Sequence, residues 1–277
     1  MTIIIGMTVN NNDNKLKHMS KKIGLALGSG GARGFAHIGV LKVLEENNIK
    51  IDYIAGSSIG AIVGALYASG KTVKDLEELV ASTDWKRLVS LLDPHLTTGL
   101  LHGEKIQNFF TEYIGDLDFT DLKIPFASVA TDYHNGDAVI FRSGKVSPAI
   151  RASMSVPLAF KPFECDGKLL VDGGISVPVP VDIVREMGAD VVLAINLDGS
   201  YFSEAEKKLN FAEIAYRSFN MYQYNLSKQL VQRADVVVTP KVGHILWYKF
   251  ISGKETLTAG EEAMRSQMHL LKEKMIV

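Results

Sequence analysis

The sequence has little cysteine, almost no net charge and no long apolar run. Its 277 residues include one cysteine, so the chain cannot form an internal disulfide, and this scarcity fits a reducing compartment. The formal net charge is −1, so no global basic field points to nucleic acid as a partner. The nearest approach to a membrane span, residues 59–68, has about half of the ~20 residues that cross a bilayer. We therefore expect a cytoplasmic protein.

Residues 1–18 lack the features of a targeting signal. They have neither a basic start nor a long apolar core, and their second half is rich in asparagine, aspartate and lysine. The rest of the chain contains no internal repeat or low-complexity linker, and its 47% hydrophobic and 22% charged residues are ordinary globular composition. We expect residues 1–20 to form a disordered tail and residues 21–277 to form a single domain.

Short apolar strands alternate with helical patterns at the start of this domain. Residues 22–27 and 52–55 are typical of buried strands, and residues 35–46 and 59–69 carry apolar side chains at helical spacing. This order predicts an α/β fold, a three-layer α/β/α arrangement with a mainly parallel central sheet. Later strands are expected at 125–131, 138–142, 169–171, 191–196 and 236–239, and later helices within 72–115 and at 204–232 and 260–274.

The stretch GSSIGA, residues 56–61, follows the second strand and matches the G-x-S-x-G spacing of a nucleophile elbow. Gly56 and Gly60 leave room for a tight turn that would present the Ser58 hydroxyl at the end of the strand. The spacing is also common by chance, and Ser57 or Ser58 would equally serve as the N-cap of the following helix. From this stretch alone, both interpretations stand.

A second glycine-rich turn, GSGGARG at residues 28–34, lies between the first strand and the first helix. Its clustered N–H groups at a helix start predict an anion-binding nest, although an ordinary strand–helix turn has the same composition. A dinucleotide fingerprint requires glycine at the sixth position, where this chain has Arg33. A guanidinium beside the nest favours an oxyanion or phosphate ligand over NAD.

A base for Ser58 is less obvious, because none of the seven histidines lies in a motif. His37, on the helix after the nest, is better explained by packing or a local hydrogen bond. The run LLVDGG, residues 169–174, instead ends a strand in an acid followed by two glycines. Sites form at strand ends in open α/β sheets, which makes Asp172 a candidate base, while Asp-Gly is also a common turn.

In this order and spacing, the nest, the G-x-S-x-G turn and the Asp-Gly-Gly turn resemble the patatin-like phospholipase family, and more narrowly its small bacterial cytoplasmic members. The likeness extends to GSGGARGFAHIGVL at 28–41 and RASMSVP at 151–157. It covers roughly residues 22–182, and the elements of residues 183–277 are compatible with it. One departure is Ser29, where the family usually has the first of three glycines.

The resemblance implies a serine acyl hydrolase that cleaves carboxylic ester bonds of lipids, of the phospholipase A or lysophospholipase type, with a Ser-Asp dyad and no histidine. Ser58 would be the nucleophile and Asp172 the proton acceptor. The implied oxyanion hole is Gly30, Gly31 and Ala32, and the supporting positions are Arg33, Gly56, Gly60, Gly173 and Gly174. Arg33 would brace the nest or attract a lipid phosphate.

No metal ion or other cofactor is expected for this chemistry. The expected partner is a lipid or other ester substrate and not nucleic acid, while transient contact with a membrane surface and the oligomeric state are left open. Two alternatives remain at this stage. One is a general carboxylesterase or thioesterase that acts on soluble esters with the same dyad, and the other is a non-catalytic lipid-binding regulatory protein.

Overall fold

The structure of the protein is a computed structural model, which describes residues 21–82, 104–157, 159–199, 211–245, 250 and 253–276. The strands of these ranges are β1 (Ile23–Leu27), β2 (Tyr53–Ser57), β3 (Phe126–Asp132), β4 (Ala138–Phe141), β5 (Phe163–Cys165), β6 (Lys168–Asp172), β7 (Val191–Ile195) and β8 (Val236–Val238). The helices are α1 (Phe35–Glu46), α2 (Ile59–Ala68), α3 (Val73–Ala81), α4 (Glu104–Ile114), α5 (Val146–Ser153), α6 (Val181–Glu186), α7 (Phe211–Leu230) and α8 (Gly253–Met275). The tail predicted at residues 1–20 lies outside the described residues.

The strands build one sheet with helices on both faces, so the predicted α/β/α architecture with a mainly parallel centre is confirmed. Parallel pairs join β8, β7, β1, β2 and β3 in that order. β4 and β6 each pair antiparallel with β3, and β5 pairs antiparallel with β6. These antiparallel strands at one side of the sheet are a feature that the sequence pattern does not specify.

Strand β1 shows how the two helical layers are separated. Its Leu25 and Leu27 belong to the hydrophobic cluster that includes α1, α2 and α8, whereas Ala26 belongs to the cluster that includes α6. Successive side chains of a strand point to opposite faces, so a strand covered on both faces is mostly apolar along its whole length. The run IGLAL meets this condition, and all five of its residues are buried.

Most predicted elements are present, some with shifted ends. The helices expected at 35–46 and 59–69 are α1 and α2. The last helix is expected from residue 260 but begins at Gly253, and β5 is absent from the predicted elements. Residues 83–103 and 200–210, for which helices are partly expected, lie outside the described residues. None of the helices in the described ranges is long and apolar enough to cross a bilayer.

One edge of β3 brings two other strands end to end. Just before β3, the Pro125 carbonyl accepts the N–H of Ile54 in β2, and just after it, the Tyr133 N–H donates to Leu169 in β6. The Asp132 N–H donates instead into the hairpin with β4. Backbone groups of successive residues in a strand point to opposite edges, so those of every second residue point to the same edge. Pro125 and Tyr133 are an even number of residues apart, so their backbone groups point to the same edge of β3. β2 and β6 pair along this edge, and β4 pairs along the other.

This shared edge fixes where the two strands stop. β2 ends with Ser57 opposite Val129, and β6, which runs the other way, ends with Asp172 opposite Ala130. Because Val129 and Ala130 are neighbours in β3, the ends of β2 and β6 meet head to head. The sheet itself thus brings the turn after Ser57 and the side chain of Asp172 together.

Helix α8 lies directly against α1, the helix that follows the first glycine-rich turn. A Cβ built on Gly39 of α1 would overlap the backbone of Leu257, and a Cβ built on Gly260 of α8 would overlap the backbone of Ala36. The two helices therefore touch backbone to backbone, with a glycine on each side. This contact ties the last helix to the N-terminal half of the fold.

Gly260→Ala should destabilise the protein although alanine is the better helix former. The substitution gains up to ~1 kcal/mol of helix propensity. The added methyl group must push α8 away from α1, however, and overpacking of this kind costs ~1–3 kcal/mol. We expect a net loss of unfolding free energy in urea, followed by circular dichroism. Ser266→Ala, on the exposed side of α8, is the control and should change that energy by less than ~0.5 kcal/mol. A stabilised Gly260→Ala protein would contradict the backbone contact.

Candidate active site

Ser58 lies on the sharp turn between β2 and α2. Its φ is 55° and its ψ is −122°, a strained conformation for a residue with a Cβ. Gly56 and Gly60 make the turn possible, because a Cβ on Gly60 would overlap the Leu27 carbonyl oxygen and a Cβ on Gly56 would overlap the backbone of Gly60. This strand–turn–helix geometry is that of a nucleophile elbow.

The alternative interpretation of this stretch, a serine that caps helix α2, has no support in the structure. Ser58 occupies the N-cap position, but its side chain makes no capping hydrogen bond. The neighbouring Ser57 hydroxyl donates to the Val177 carbonyl oxygen at 2.6 Å. The Ser58 hydroxyl is therefore not committed to the helix, although only 6% of the residue is exposed.

Asp172 ends β6 as a buried carboxylate, and only one of its two oxygens has a hydrogen-bond partner among the described residues. The residue is 2% exposed. Its Oδ1 accepts the Gly174 N–H at 2.8 Å, and its Oδ2 has no hydrogen-bond partner among the described residues. Burial raises the pKa of Asp172 from 3.8 to about 7, and the Ser58 hydroxyl and the Gly174 N–H, which both favour the charged form, work against that rise.

The Ser58 hydroxyl approaches this carboxylate without completing a hydrogen bond of normal geometry. It is close enough to lower the pKa of Asp172, yet Oδ2 still lacks a partner within the described ranges. Catalytic hydrogen bonds are often long without substrate and tighten when it binds, so a close but incomplete contact fits a catalytic pair. The sheet thus places an uncommitted hydroxyl beside an incompletely bonded carboxylate.

The first glycine-rich turn presents backbone N–H groups beside the elbow. Gly30 and Gly31 have φ values of 155° and 57°, in the left-handed region that residues with a Cβ rarely adopt. The N–H groups of Gly30, Gly31 and Ala32 have no backbone acceptor in the described part of the chain, as expected at the start of a helical segment. Successive free N–H groups of this kind bind anions.

Ser29, where the resembling family usually has glycine, differs from the rest of the nest. Its N–H donates to the Pro178 carbonyl oxygen at 2.9 Å, so this amide is already used. Its hydroxyl is buried and has no partner among the described residues. The Ser29 Cβ lies beside Gly174, where an added Cβ would be 2.9 Å from it. A serine at this position therefore leaves the later amides of the turn as donors and places beside them a hydroxyl without a partner in the described part of the chain.

The turn after Asp172 packs tightly against its neighbours. A Cβ on Gly173 would overlap the Val129 carbonyl oxygen of β3, and a Cβ on Gly174 would overlap the side-chain amide of Gln223 in α7. The turn thus crosses the end of β3 in a space that only glycine leaves open. Gln223 is buried beside the site, and no sequence pattern marks it among the other polar residues of α7.

Arg33 is buried in an ion pair that holds the nest to another strand end. Its Nη1 lies 3.3 Å from Oδ1 of Asp198, just after β7, and its Nε donates to the Ile245 carbonyl oxygen at 2.9 Å. Burial raises the pKa of Asp198 to about 6, and Arg33 acts against that rise. Of the two roles expected for Arg33, the geometry favours the brace, since a guanidinium in a residue that is 2% exposed offers little to a lipid phosphate. Asp198 repeats the strand-then-Asp-Gly pattern of Asp172, so the sequence does contain a signal for it.

His37 supports the same turn from inside the protein. The residue is fully buried, and its Nε2–H donates to the Gly28 carbonyl oxygen at 2.8 Å. Burial lowers the pKa of His37 to about 4, so the ring is neutral at pH 7. Elsewhere, no group of three or more histidine, cysteine, aspartate or glutamate side chains in the described ranges could hold a metal ion.

Asp172→Asn should stabilise the folded protein above pH 7 and leave it unchanged near pH 4. The folded carboxyl group has a pKa of about 7 against 3.8 when unfolded, so the folded state binds the proton more tightly. The unfolding free energy of the wild type therefore falls as the pH rises from 4 to 7. Three pKa units correspond to at most ~4 kcal/mol. The pKa of Asp198 is also raised. Its contribution to the unfolding free energy is the same in both proteins and does not affect the difference between them. Urea unfolding at pH 4 and pH 8 tests this, and a variant less stable than the wild type at pH 8 would contradict it.

Sequence relatives carry the same region. The sequence model of the family described as Patatin-like phospholipase matches residues 25–185, more than half of the chain. An uncharacterised NTE family protein of Mycobacterium tuberculosis is 42% identical over 182 residues, which are 65% of this chain and 50% of that protein. Patatin-like phospholipase domain-containing protein 6 of Homo sapiens is 36% identical over 184 residues, 63% of this chain and 13% of that protein. The chain thus spans half of the mycobacterial protein and a much smaller share of the human one.

Solved structures share the fold at low sequence identity. VipD from Legionella pneumophila superposes with a TM-score of 0.62 and 13% identity, over 92% of this chain and 67% of that one. ExoU of Pseudomonas aeruginosa, in complex with SpcU, gives a TM-score of 0.53 and 15% identity, over 93% and 53% of the two chains. The family model covers more than half of the sequence, so the resemblance drawn from the three motifs is confirmed: the chain belongs to the patatin-like phospholipase family.

Proposed function

We propose that the protein is a lipid acyl hydrolase in which Ser58 attacks a carboxylic ester and Asp172 accepts its proton. One observation carries the proposal. An uncapped serine on a strained elbow faces a buried carboxylate whose Oδ2 has no partner among the described residues. The head-to-head ends of β2 and β6 hold the two groups together, and no histidine is needed between them.

The reaction follows the usual covalent course of a serine hydrolase. Ser58 Oγ adds to the ester carbonyl carbon as its proton passes to Asp172. The negative charge on the carbonyl oxygen is received by the N–H groups of Gly30, Gly31 and Ala32. The tetrahedral intermediate collapses to an acyl-enzyme, and the alcohol leaves with the proton from Asp172. Water then repeats the sequence, with Asp172 again as the proton acceptor, and releases the fatty acid.

Burial of Asp172 makes this proton transfer more favourable than it would be in water. An ordinary aspartate, with a pKa near 3.8, is a weak base toward a serine hydroxyl. At about 7, the pKa lies near neutral pH, where a general base is both sufficiently basic and sufficiently ionised. A carboxylate can therefore perform the step that histidine performs in other serine hydrolases.

The family supports a lipid as the substrate, because it is named for phospholipases and the human relative carries the same name. The more specific assignment, to a phospholipase A or lysophospholipase, rests on the family name.

Ester hydrolysis by three proteins tests the proposal. The wild type should release fatty acid from phosphatidylcholine or lysophosphatidylcholine, with a rate that rises above the aggregation threshold of the lipid. Ser58→Ala and Asp172→Asn should each lose about 10³-fold or more of that activity while remaining folded. Ser57→Ala, which removes the neighbouring hydroxyl, is the matched control and should retain most of it.

The other outcomes separate the alternatives. Turnover of short soluble esters without any increase on aggregated lipid would indicate a general carboxylesterase or thioesterase. Lipid binding without turnover in the wild type would indicate a non-catalytic regulatory protein. Near-normal activity in a folded Asp172→Asn protein would exclude the histidine-free mechanism.

A further inference from the structure

A short segment at the end of α5 contacts the backbone of both members of the proposed dyad. The Ser153 hydroxyl oxygen accepts the Ser58 N–H at 2.9 Å. Two residues later, the Ser155 carbonyl oxygen accepts the Asp172 N–H at 3.0 Å. One turn of chain therefore holds the nucleophile and the base at the same time, from the side of the sheet that α5 covers.

The bond to Ser58 acts on the most strained residue of the site. A non-glycine residue at a φ of 55° keeps that conformation only where its surroundings fix it. Ser153 is fully buried, so water cannot replace its hydroxyl as the acceptor of the Ser58 N–H. The same bond removes this N–H from the set of oxyanion donors and leaves that role to the glycine-rich turn.

The segment is itself held rigidly by a buried guanidinium. Arg151 Nη1 donates to the Ser155 hydroxyl at 2.7 Å, and the same hydroxyl donates back to the Arg151 carbonyl oxygen at 3.0 Å. The Arg151 guanidinium also lies 5.4 Å and 5.3 Å from the ring centres of Phe160 and Phe163. A charged side chain fixed in this way keeps the 151–155 backbone in one conformation.

We propose that Ser153 is a positioning residue whose hydroxyl oxygen fixes the backbone of Ser58, so that the 151–155 segment sets the distance between Ser58 Oγ and the Asp172 carboxylate. The inference rests on the proposed function of that dyad. It assigns a physical task to RASMSVP, a stretch that the family resemblance includes without implying a role for it. Removal of the oxygen frees the Ser58 backbone, although both reacting side chains are still present in the protein.

Steady-state kinetics of Ser153→Ala on the ester that the wild type hydrolyses test this role. A displacement of about 1 Å in a reacting group can cost ~10²-fold in rate, so we expect kcat to fall by 10- to 100-fold with KM nearly unchanged. Ser153→Thr, which keeps the oxygen, should recover most of the lost kcat.

Ser128→Ala is the matched control. Ser128 is a fully buried serine of β3, and its hydroxyl donates to the Ala149 carbonyl oxygen of the same helix α5 at 3.3 Å. This variant also loses one buried hydrogen bond to α5, but it should keep the wild-type kcat. An equal loss of kcat in Ser128→Ala would show that general loosening of α5 is responsible and would overturn the positioning role.

Two further results would also overturn it. One is a folded Ser153→Ala protein with wild-type kcat. The other is rapid hydrogen exchange of the Ser58 amide in the wild type, a measurement that needs no variant to fold, because the buried bond to Ser153 predicts slow exchange. If the wild type hydrolyses no ester at all, the proposed function itself is wrong. The activity of the wild type is therefore measured before any variant is made.

Discussion

The edge of β3 shared by β2 and β6 is the constraint on which the rest of the site depends. β2 reaches this edge parallel to β3 and β6 reaches it antiparallel, so their last residues meet opposite neighbouring positions of one strand. An elbow at the end of β2 and an acid at the end of β6 are then adjacent without any long loop to carry them. Rigid strands position reacting groups more accurately than loops do. The antiparallel strands at this side of an otherwise parallel sheet therefore have a direct consequence for chemistry.

The arrangement is costly to the stability of the fold. Ser58 is held at a strained φ, Asp172 is buried with one oxygen lacking a partner in the described residues, and Asp198 is buried against Arg33. The first two features are those that the proposed reaction uses, because strain presents the hydroxyl and burial raises the pKa of the base. The third stabilises the nest that would receive the oxyanion. The surrounding hydrogen bonds, including the one that Ser153 accepts and the one that His37 donates, keep these groups in place.

Much of the site could be predicted from sequence because each part is a local turn. The spacing of GSSIGA, GSGGARG and LLVDGG is set within a few residues, and alternating apolar patterns place each turn after a strand. The pairing of β6 with the last residues of β3 could not be predicted, since it depends on contacts between distant parts of the chain. For the same reason Ser153 and Gln223 carry no local signal of their roles. Asp198 does carry one, but its partner Arg33 lies 165 residues away.

The most direct test of the account is the pH dependence of labelling by a fluorophosphonate, followed by intact-mass spectrometry and peptide mapping. The reagent reports only whether a serine is activated, so the result does not depend on the identity of the lipid. We predict a single adduct at Ser58 whose rate of formation rises with pH through about 7, as Asp172 loses its proton. The adduct should be absent from Ser58→Ala and should form far more slowly in Asp172→Asn. An adduct at another residue, or a rate at Ser58 that Asp172→Asn leaves unchanged, would contradict the dyad.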